Sequence, residues 1–499
     1  MCKRLLIALC ICIPLMTFAQ TPATVSQKSY SRAKEILAAG IDAVGGLKEL
    51  QAINNITREM TGARSDQGQG LRPVPITQSS KPPVTNPYHK ATSVRDLRGQ
   101  RMMEYREASS NFGGQSVRYR RIISGNTFSF VNYITGVLSQ NTTPNIALAW
   151  ASISRDHPES LLLRAWNNPQ TLRYLGESQY ESKKQQVISF ADIDGAQVTL
   201  YFDDQTKLLT KRETLGDDAV LGVIANETVF SDWRTVDKLT LPYRFTDKIG
   251  GSVFIDMQAN SIKLNVELPD SDFAVPDGMS VLKQEPFSAK QLAPDVYVIR
   301  GGYNTLFVVF NDYVLAVEAG AGPGYTRNCI NEIKKVAPGK PIRYLVSTHF
   351  HFDHVAGIRS YIAEGSTIVT TPDAKSVIER SANATGLRPD LAGSLRPPII
   401  ETFKEKRVFE DAAHKVELYE YSSPHASEMI VVYLPKEKIL VEADMLDLDI
   451  PDNGIAAGGN DTRDLLERIE RWGLQVDQIV PAHGRLGTMD DLRKAVARR

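Results

Sequence analysis

Cysteine is scarce in this chain: of four, Cys2, Cys10 and Cys12 fall in the first dozen residues and only Cys329 lies beyond. Once the leading segment is removed, a single thiol remains, which excludes an intramolecular disulfide. Cys329 recurs with Ile330, Ile333 and Val336 at helical spacing, so it reads as a buried small side chain and not as a nucleophile. Net charge is absent too, with 58 Lys and Arg against 58 Asp and Glu. That balance gives no electrostatic reason to expect nucleic acid or an anionic membrane surface as partner, and leaves a small-molecule substrate.

The opening stretch "MCKRLLIALCICIPLMTFAQ" carries Lys3 and Arg4, an apolar run to Phe18 and the small-residue ending Thr17-Phe18-Ala19. It is short for a bilayer span of about 20 apolar residues and reads as a signal peptide, residues 1–19, cleaved after Ala19. Cys10 follows Ile7-Ala8-Leu9, which is no lipoprotein cleavage signal. The expected product is a soluble exported protein, periplasmic or secreted.

What remains is long enough for two domains, and two textures divide it. In 28–283, Ile36, Leu37, Ile41 and Val44 predict one amphipathic helix between Ser29 and about Ile53, ending at Gly45-Gly46. A Pro-, Gly-, Gln- and Ser-rich stretch from Gly62 to about Gln100 predicts an extended loop. Short alternating runs then dominate, such as Val198, Leu200 and Phe202 against Thr199 and Tyr201. With turn signals at Gly125, Asp194-Gly195, Asp203-Asp204, Asp237-Lys238 and Gly250-Gly251, they predict an antiparallel meander folded into an open barrel.

In 286–499 strands alternate with helices: "LAPDVYVIRG", "NTLFVVFN" and "DYVLAVEAG" as strands, Tyr325 to Val336 as a helix, "IRYLVST" as a buried strand, and "STIVTT" before a helix from Pro372. The chain is therefore an α+β multidomain protein. Leu465, Leu466, Ile469 and Trp472 before Gly473 predict a core-facing helix near the end.

Directly after the buried strand stands "STHFHFDH", residues 347–354, which places His349, His351, Asp353 and His354 within six positions. The motif is expected to leave the strand as a loop, with Val355-Ala356-Gly357 starting the next helix. Imidazole and carboxylate at this density suit zinc or another divalent transition metal. Three further candidates sit at strand ends: His425 in "YSSPHASEM", Asp444 in "KILVEADML" and His483 in "DQIVPAHG". Strand ends are where α/β domains present chemistry, so one rim of a sheet could carry all seven. His89, His157 and His414 fall outside this set and read as surface histidines.

"THFHFDH" followed by His425, Asp444 and His483 in that order resembles the metallo-β-lactamase superfamily over about residues 286–490. The resemblance implies an αββα sandwich with two metal ions between its sheets, zinc being expected and iron or manganese the alternatives. It further implies that His349, His351 and His425 hold the first metal, Asp353, His354 and His483 the second, and that Asp444 bridges them. Two divalent ions about 3.5–4 Å apart can share a water and deliver it as hydroxide near neutral pH, with Asp353 as the catalytic residue that orients it.

Two departures matter. Glu318-Ala319-Gly320 stands where the family has an aspartate, a small residue and glycine, a support position and not a ligand. Asp444 stands where antibiotic-hydrolysing members carry cysteine or serine, which favours cleavage of an ester, thioester, lactone or related bond. The other readings are a β-lactamase-type amide hydrolase, a mononuclear-iron persulfide dioxygenase and a non-enzymatic envelope ligand-binding protein. In the first half, "AVGGLKEL" followed by "VFSDWRTVDKLTLPYRF" resembles periplasmic lipoprotein-carrier domains, in which a curved sheet wraps a helix. That implies a lipid or cell-envelope ligand; a substrate-positioning or structural role is the competing reading. Residues 382–399 and 447–459 are the expected pocket-shaping loops.

Overall fold

The computed structural model describes residues 23–65, 68–73, 85–108, 117–282, 287–387, 396–449 and 460–497. The expected signal segment lies outside them, and the two expected pocket loops lie partly outside. Among the described residues no helix is long and apolar enough to cross a membrane.

The first helix, Val25–Ala43, starts at a reciprocal cap: Gln27 N–H donates to Thr24 Oγ1, and Thr24 N–H donates to Gln27 Oε1. It buries Ala33, Ile36, Leu37 and Ile41 and stops before Gly45, where φ is +117°. A separate helix, Leu47–Gln51, follows, so the single helix expected to reach Ile53 is two. Their apolar face packs on Phe190, Leu200, Phe202, Phe230, Leu241 and Ile262 of one fourteen-stranded sheet.

That sheet is an antiparallel meander except at one edge, where Ser280–Val281 runs parallel to Val137–Thr142. Its centre is the pair Asn55–Ser65 and Ser252–Leu264, which joins the early hairpins to the later ones. The edge strands Ser280–Val281 and Arg173–Tyr180 do not pair with each other, so the meander is open. All five turn signals fall between paired strands. Part of the loop expected from Gly62 to Gln100 is sheet: among the described residues, 62–65 and 85–96 belong to the paired strands Asn55–Ser65 and Thr85–Asp96. A bulge, with Met60 opposite Ala91 but Gly62 opposite Tyr88, shifts the register by one residue, and Pro87 pairs with Ala63 beyond it. Two helices the alternation did not announce, Ile146–Ile153 and Pro158–Asn167, interrupt the meander.

His157 is not a surface histidine. It precedes Pro158 and is buried between two guanidinium groups, 2.8 Å from Arg58 Nη1 and 3.1 Å from Arg95 Nε. Arg58 in turn donates to both oxygens of buried Glu159 at 3.0 and 3.1 Å. Burial and these two cations push the His157 pKa well below the usual imidazole range, so it stays neutral. His414 is buried as well, edge-on to the Phe310 ring at 5.8 Å; in both cases a packed neighbour overrode the polarity of the local sequence. His89 is half exposed, as expected.

From Ala289 onward the chain builds a seven-stranded and a five-stranded sheet. Period-two alternation assigns their faces. Val296, Val298, Leu306, Val308, Leu315, Val317, Val346 and Val369 of the larger sheet meet Val416, Leu418, Ile430, Val432, Val441 and Val480 of the smaller in one core. Residues of opposite parity face the helices: Phe307, Ala316, Leu345 and Ile368 lie in a cluster with Pro323–Val336, Ile358–Glu364 and Pro372–Asn383. Met429, Val431, Leu440 and Ile479 join Asn460–Arg471 and Met489–Ala497. The layers are thus helix, sheet, sheet, helix. "LAPDVYVIRG" is split into two strands by a turn at Asp295, where φ is +59°. Cys329 is fully buried on the helical side, and burial pushes its thiol up to about 11, so it is an inert packing group.

The two halves touch through the hairpin turn at Asp218–Gly222. Val220 is buried in the core around Ile358 and Ile378, and Arg359 Nη2 and Ser381 Oγ donate to Ala219 O at 3.0 and 3.1 Å.

Candidate metal centre

Each of the seven candidate side chains is delivered just past the end of a strand. Ile342–Val346, with parallel neighbours on both sides, runs into Ser347–Phe350, and His351 then caps a one-turn helix, Phe352–Val355. Asp353 and His354 therefore sit in a helical turn and not in the expected loop, one turn earlier than the expected helix start. Gly357 holds that turn against the sheet, because a Cβ there would lie 1.9 Å from Thr326 Oγ1 and 2.4 Å from the Ala319 carbonyl.

From the smaller sheet, His425 lies in the turn before Met429–Leu434, its N–H donating to Ser423 Oγ at 3.1 Å. Asp444 follows Ile439–Glu442 with φ +64°, and Glu318, past the end of Val314–Val317, has φ +75°. A left-handed non-glycine residue at each strand end costs of order 1–3 kcal/mol, strain that collects at functional sites. His483 follows Gln478–Pro481, and Asn304 clamps its loop by donating to Pro481 O and Gly484 O at 2.7 and 2.8 Å.

All seven converge in two overlapping groups, His349, His351, His425 and Asp444, and Asp353, His354, Asp444 and His483; the donor atoms within each group lie within 4.8 Å of one another. Asp444 belongs to both. Its Oδ2 is 2.9 Å from His354 Nε2, 3.1 Å from His425 Nε2 and 3.5 Å from His349 Nε2, while its Oδ1 is 3.2 Å from His483 Nε2. Asp353 Oδ2 lies 3.1 Å from His483 Nε2 and 3.4 Å from His354 Nε2. His351 Nδ1 and His425 Nε2 face each other at 3.0 Å.

Behind this rim stands a supporting layer. His354 Nδ1 is 2.7 Å from Glu318 Oε2 and 2.5 Å from Tyr303 Oη, and Tyr303 donates to the same Glu318 oxygen at 2.8 Å. Thr348 N–H donates to Glu318 Oε1 at 3.3 Å. A carboxylate at Nδ1 places a ring proton there, and would leave Nε2, which faces Asp444 at 2.9 Å, as the nitrogen available to a metal.

The electrostatics favour a cation. Burial lowers the His349 pKa to about 4 and pushes His351 down as well, so both present neutral nitrogens. Burial opposes charge on His354 too, but Asp444, Asp353 and Glu318 outweigh it and hold its pKa well above the usual range. Asp353 and Asp444 are pulled below the carboxylate range despite burial, mainly by His354. His483 is likewise raised, against burial, mainly by its hydrogen bond to Asp353, so three anionic carboxylates surround two neutral imidazoles, His349 and His351, and two that hold their protons, His354 and His483. Buried His349 Nε2 makes no hydrogen bond, although Asp444 Oδ2 stands 3.5 Å away. An orphaned buried nitrogen costs about 1–3 kcal/mol, which a divalent ion accepting its lone pair would remove, so the donor set fits metal.

Exposure is uneven. His349, His351 and His354 are fully buried, whereas the side chains of Asp353 and His483 are 30% and 32% exposed, so the site opens on the Asp353 and His483 side. The structure brings together all seven residues singled out in the sequence, with Glu318 behind them, and adds Tyr303, Asn304, Gln69 and Gly70, which the sequence did not single out. Gln69 Nε2 donates to Asp353 Oδ1 at 2.7 Å, and His351 Nε2 lies 2.9 Å from Gly70 O. No local pattern marks a lone tyrosine at a strand start or a glutamine in a polar stretch.

Residues 298–483 match the family model described as the Metallo-beta-lactamase superfamily. The chain is 24% identical over 138 residues to a metallo-beta-lactamase type 2 of Elizabethkingia meningoseptica, covering 28% of this chain and 50% of that protein. It is 25% identical over 211 residues to a linear primary-alkylsulfatase of Pseudomonas sp., covering 34% and 39%. The chain thus spans half or less of the length of these relatives. Similar solved structures include a metallo-beta-lactamase from Pontibacter korlensis, 20% identical with a TM-score of 0.34, covering 42% of this chain and 97% of that one. The DIM-1 metallo-beta-lactamase is 18% identical with a TM-score of 0.34, covering 43% and 97%.

Proposed function

We propose, from a C-terminal region that matches the metallo-β-lactamase superfamily, that this protein is a metal-dependent hydrolase of a small-molecule ester, thioester, lactone or related bond. The observation that carries it is Asp444, one carboxylate shared by two four-residue donor groups. In this reading His349, His351 and His425 would hold one divalent ion and Asp353, His354 and His483 a second, with Asp444 common to both groups, zinc being the metal the imidazole-rich set suits best. Such a pair supplies a nucleophilic water at neutral pH and polarises the bond to be broken.

The rest falls to the chain. Asp353, charged and partly exposed, would orient the water from the open side of the site. Glu318 and Tyr303 hold His354 in one tautomer, so the rim does not reorganise as charge develops. The buried valines between the sheets keep bulk water from the closed side, and substrate enters beside Asp353 and His483. No serine or cysteine nucleophile is needed, in keeping with the inert Cys329.

A shared aspartate, the similarity to an alkylsulfatase and the absence of net charge favour small esters over antibiotic amides or nucleic acid. We assign 28–283 to a substrate-positioning domain beside a catalytic domain at 286–499, and 1–19 to export. The test is metal quantification joined to a panel of carboxylic esters, thioesters, lactones, alkyl sulfates and β-lactams, run on the wild type and Asp444→Ala. Loss of one metal equivalent together with activity supports the bridged site. Full retention of both overturns it, and a single iron per chain would point to the oxygenase reading instead.

A further inference from the structure

The short segment Gly68–Pro73 lies beyond the Asn55–Ser65 strand of the large sheet, yet three consecutive residues of it end at the metal centre. Gln69 Nε2 donates to Asp353 Oδ1 at 2.7 Å, across 284 positions of sequence. Gly70 O lies 2.9 Å from His351 Nε2. Leu71 O accepts from Ser427 N–H at 2.7 Å, two residues past His425. Gly68 makes this approach possible: its φ is +68°, and a Cβ would lie 2.3 Å from the Phe352 ring.

These contacts divide between the two donor groups. His351 offers Nδ1 to the first group, where it faces His425 Nε2 at 3.0 Å; a carbonyl at Nε2 fixes the proton there and frees Nδ1 as a lone pair. Asp353 offers Oδ2 to the second group, facing His483 and His354; an amide donor on Oδ1 holds the carboxylate in that rotation and leaves Oδ2 free. Both are the outer partners that metal-ligating side chains require, and here they come from the other half of the chain.

We propose that Gly70 and Gln69 are positioning residues of the metal centre, one for each metal, so that the N-terminal half completes a site whose ligands all belong to the C-terminal half. Gly70 sets the His351 tautomer through its backbone, and Gln69 sets the Asp353 rotation through its side chain. This rests on the ligand assignment proposed above. It makes the two halves one functional unit and puts the Gly68–Leu71 backbone into the wall beside the exposed Asp353.

The test is a titration of the full-length metal-free protein with Zn²⁺ against a chromophoric chelator, repeated with Co²⁺ for its visible absorption, on the wild type, Gln69→Ala and Gly68→Val. Gln69→Ala is expected to weaken one of the two binding steps about 10- to 100-fold and leave the other within threefold, with the cobalt spectrum altered only for the weakened step. Gly68→Val, which displaces the whole segment, is expected to weaken both. Unchanged melting of the metal-free Gln69→Ala protein separates positioning from a general loss of structure. If the wild type binds two ions and Gln69→Ala binds both as tightly, or loses both equally, this inference falls while the ligand assignment stands. If the wild type does not bind two ions, the ligand assignment itself falls. Should Gly68→Val not fold, Gln69→Ala decides alone.

Discussion

Replacing Glu318 by glutamine changes one atom and no volume, yet it should disable half of the metal centre. Glu318 is fully buried and accepts from three donors: Tyr303 Oη and His354 Nδ1 at Oε2, and Thr348 N–H at Oε1. Glutamine has one oxygen for these two places, so its amide nitrogen must face a donor. If it faces Thr348, the His354 bond loses its charge assistance, which is worth about 1.5–3 kcal/mol, and a buried backbone N–H is left unpaired at a further ~1–3 kcal/mol. If it faces His354, the ring must accept at Nδ1; the proton then moves to Nε2, the nitrogen that points at Asp444. Either route costs about 3 kcal/mol in the metal-loaded state, or roughly 100-fold in affinity for the ion held by His354, at ~1.4 kcal/mol per decade. Glu318→Asp keeps the charge but withdraws it by about 1.5 Å, one carbon–carbon bond, and should lie between wild type and glutamine. The assay is competitive zinc titration of metal-free protein. Two equivalents bound by Glu318→Gln at wild-type affinity would refute the claim that this residue sets the His354 tautomer.

In the large sheet, burial first and Asp156 second raise the Asp247 pKa to about 7, against Thr228, Arg212 and Arg106. Between about pH 4 and pH 7 the folded protein keeps a proton that the unfolded chain has released, so stability should fall as pH rises through that window and level off above it; Asp247→Asn should flatten this slope in denaturant titrations. Arg58→Met should cost about 3–5 kcal/mol by stranding the buried charge of Glu159, and adding Glu159→Leu should recover most of it, as read by urea unfolding. Gly357→Ala should lower the melting temperature through about 1–3 kcal/mol of overpacking against Thr326 and Ala319, with φ playing no part because the position lies outside the left-handed region.

The layered half of the chain was readable because its signals are local. Continuous apolar runs such as "NTLFVVFN" and "MIVVYLP" mark strands buried on both faces, and Asn304–Val309 and Met429–Leu434 are buried along their whole length. Composition and geometry disagree elsewhere: Gly62 and Pro87 read as loop, but Gly62 lies in Asn55–Ser65 and Pro87 in Thr85–Asp96, two strands that pair with each other. His157 and His414 looked solvent-facing because their neighbours in sequence are polar, whereas their neighbours in space are Arg58, Arg95 and Phe310.

The sequence by itself determined the donor chemistry: four of the seven rim residues lie within "STHFHFDH" and the other three, His425, Asp444 and His483, at later strand ends. Side-chain identity decides which atoms can donate a lone pair, and identity is written residue by residue. Only the tertiary structure decided which nitrogen of each histidine faces the centre, that Tyr303 and Glu318 enforce that choice for His354, and that Gln69 and Gly70 reach in from the other half of the chain. Tautomer and rotamer are set by hydrogen-bond partners, and those partners are brought within 3 Å by folding from positions as far as 284 residues away.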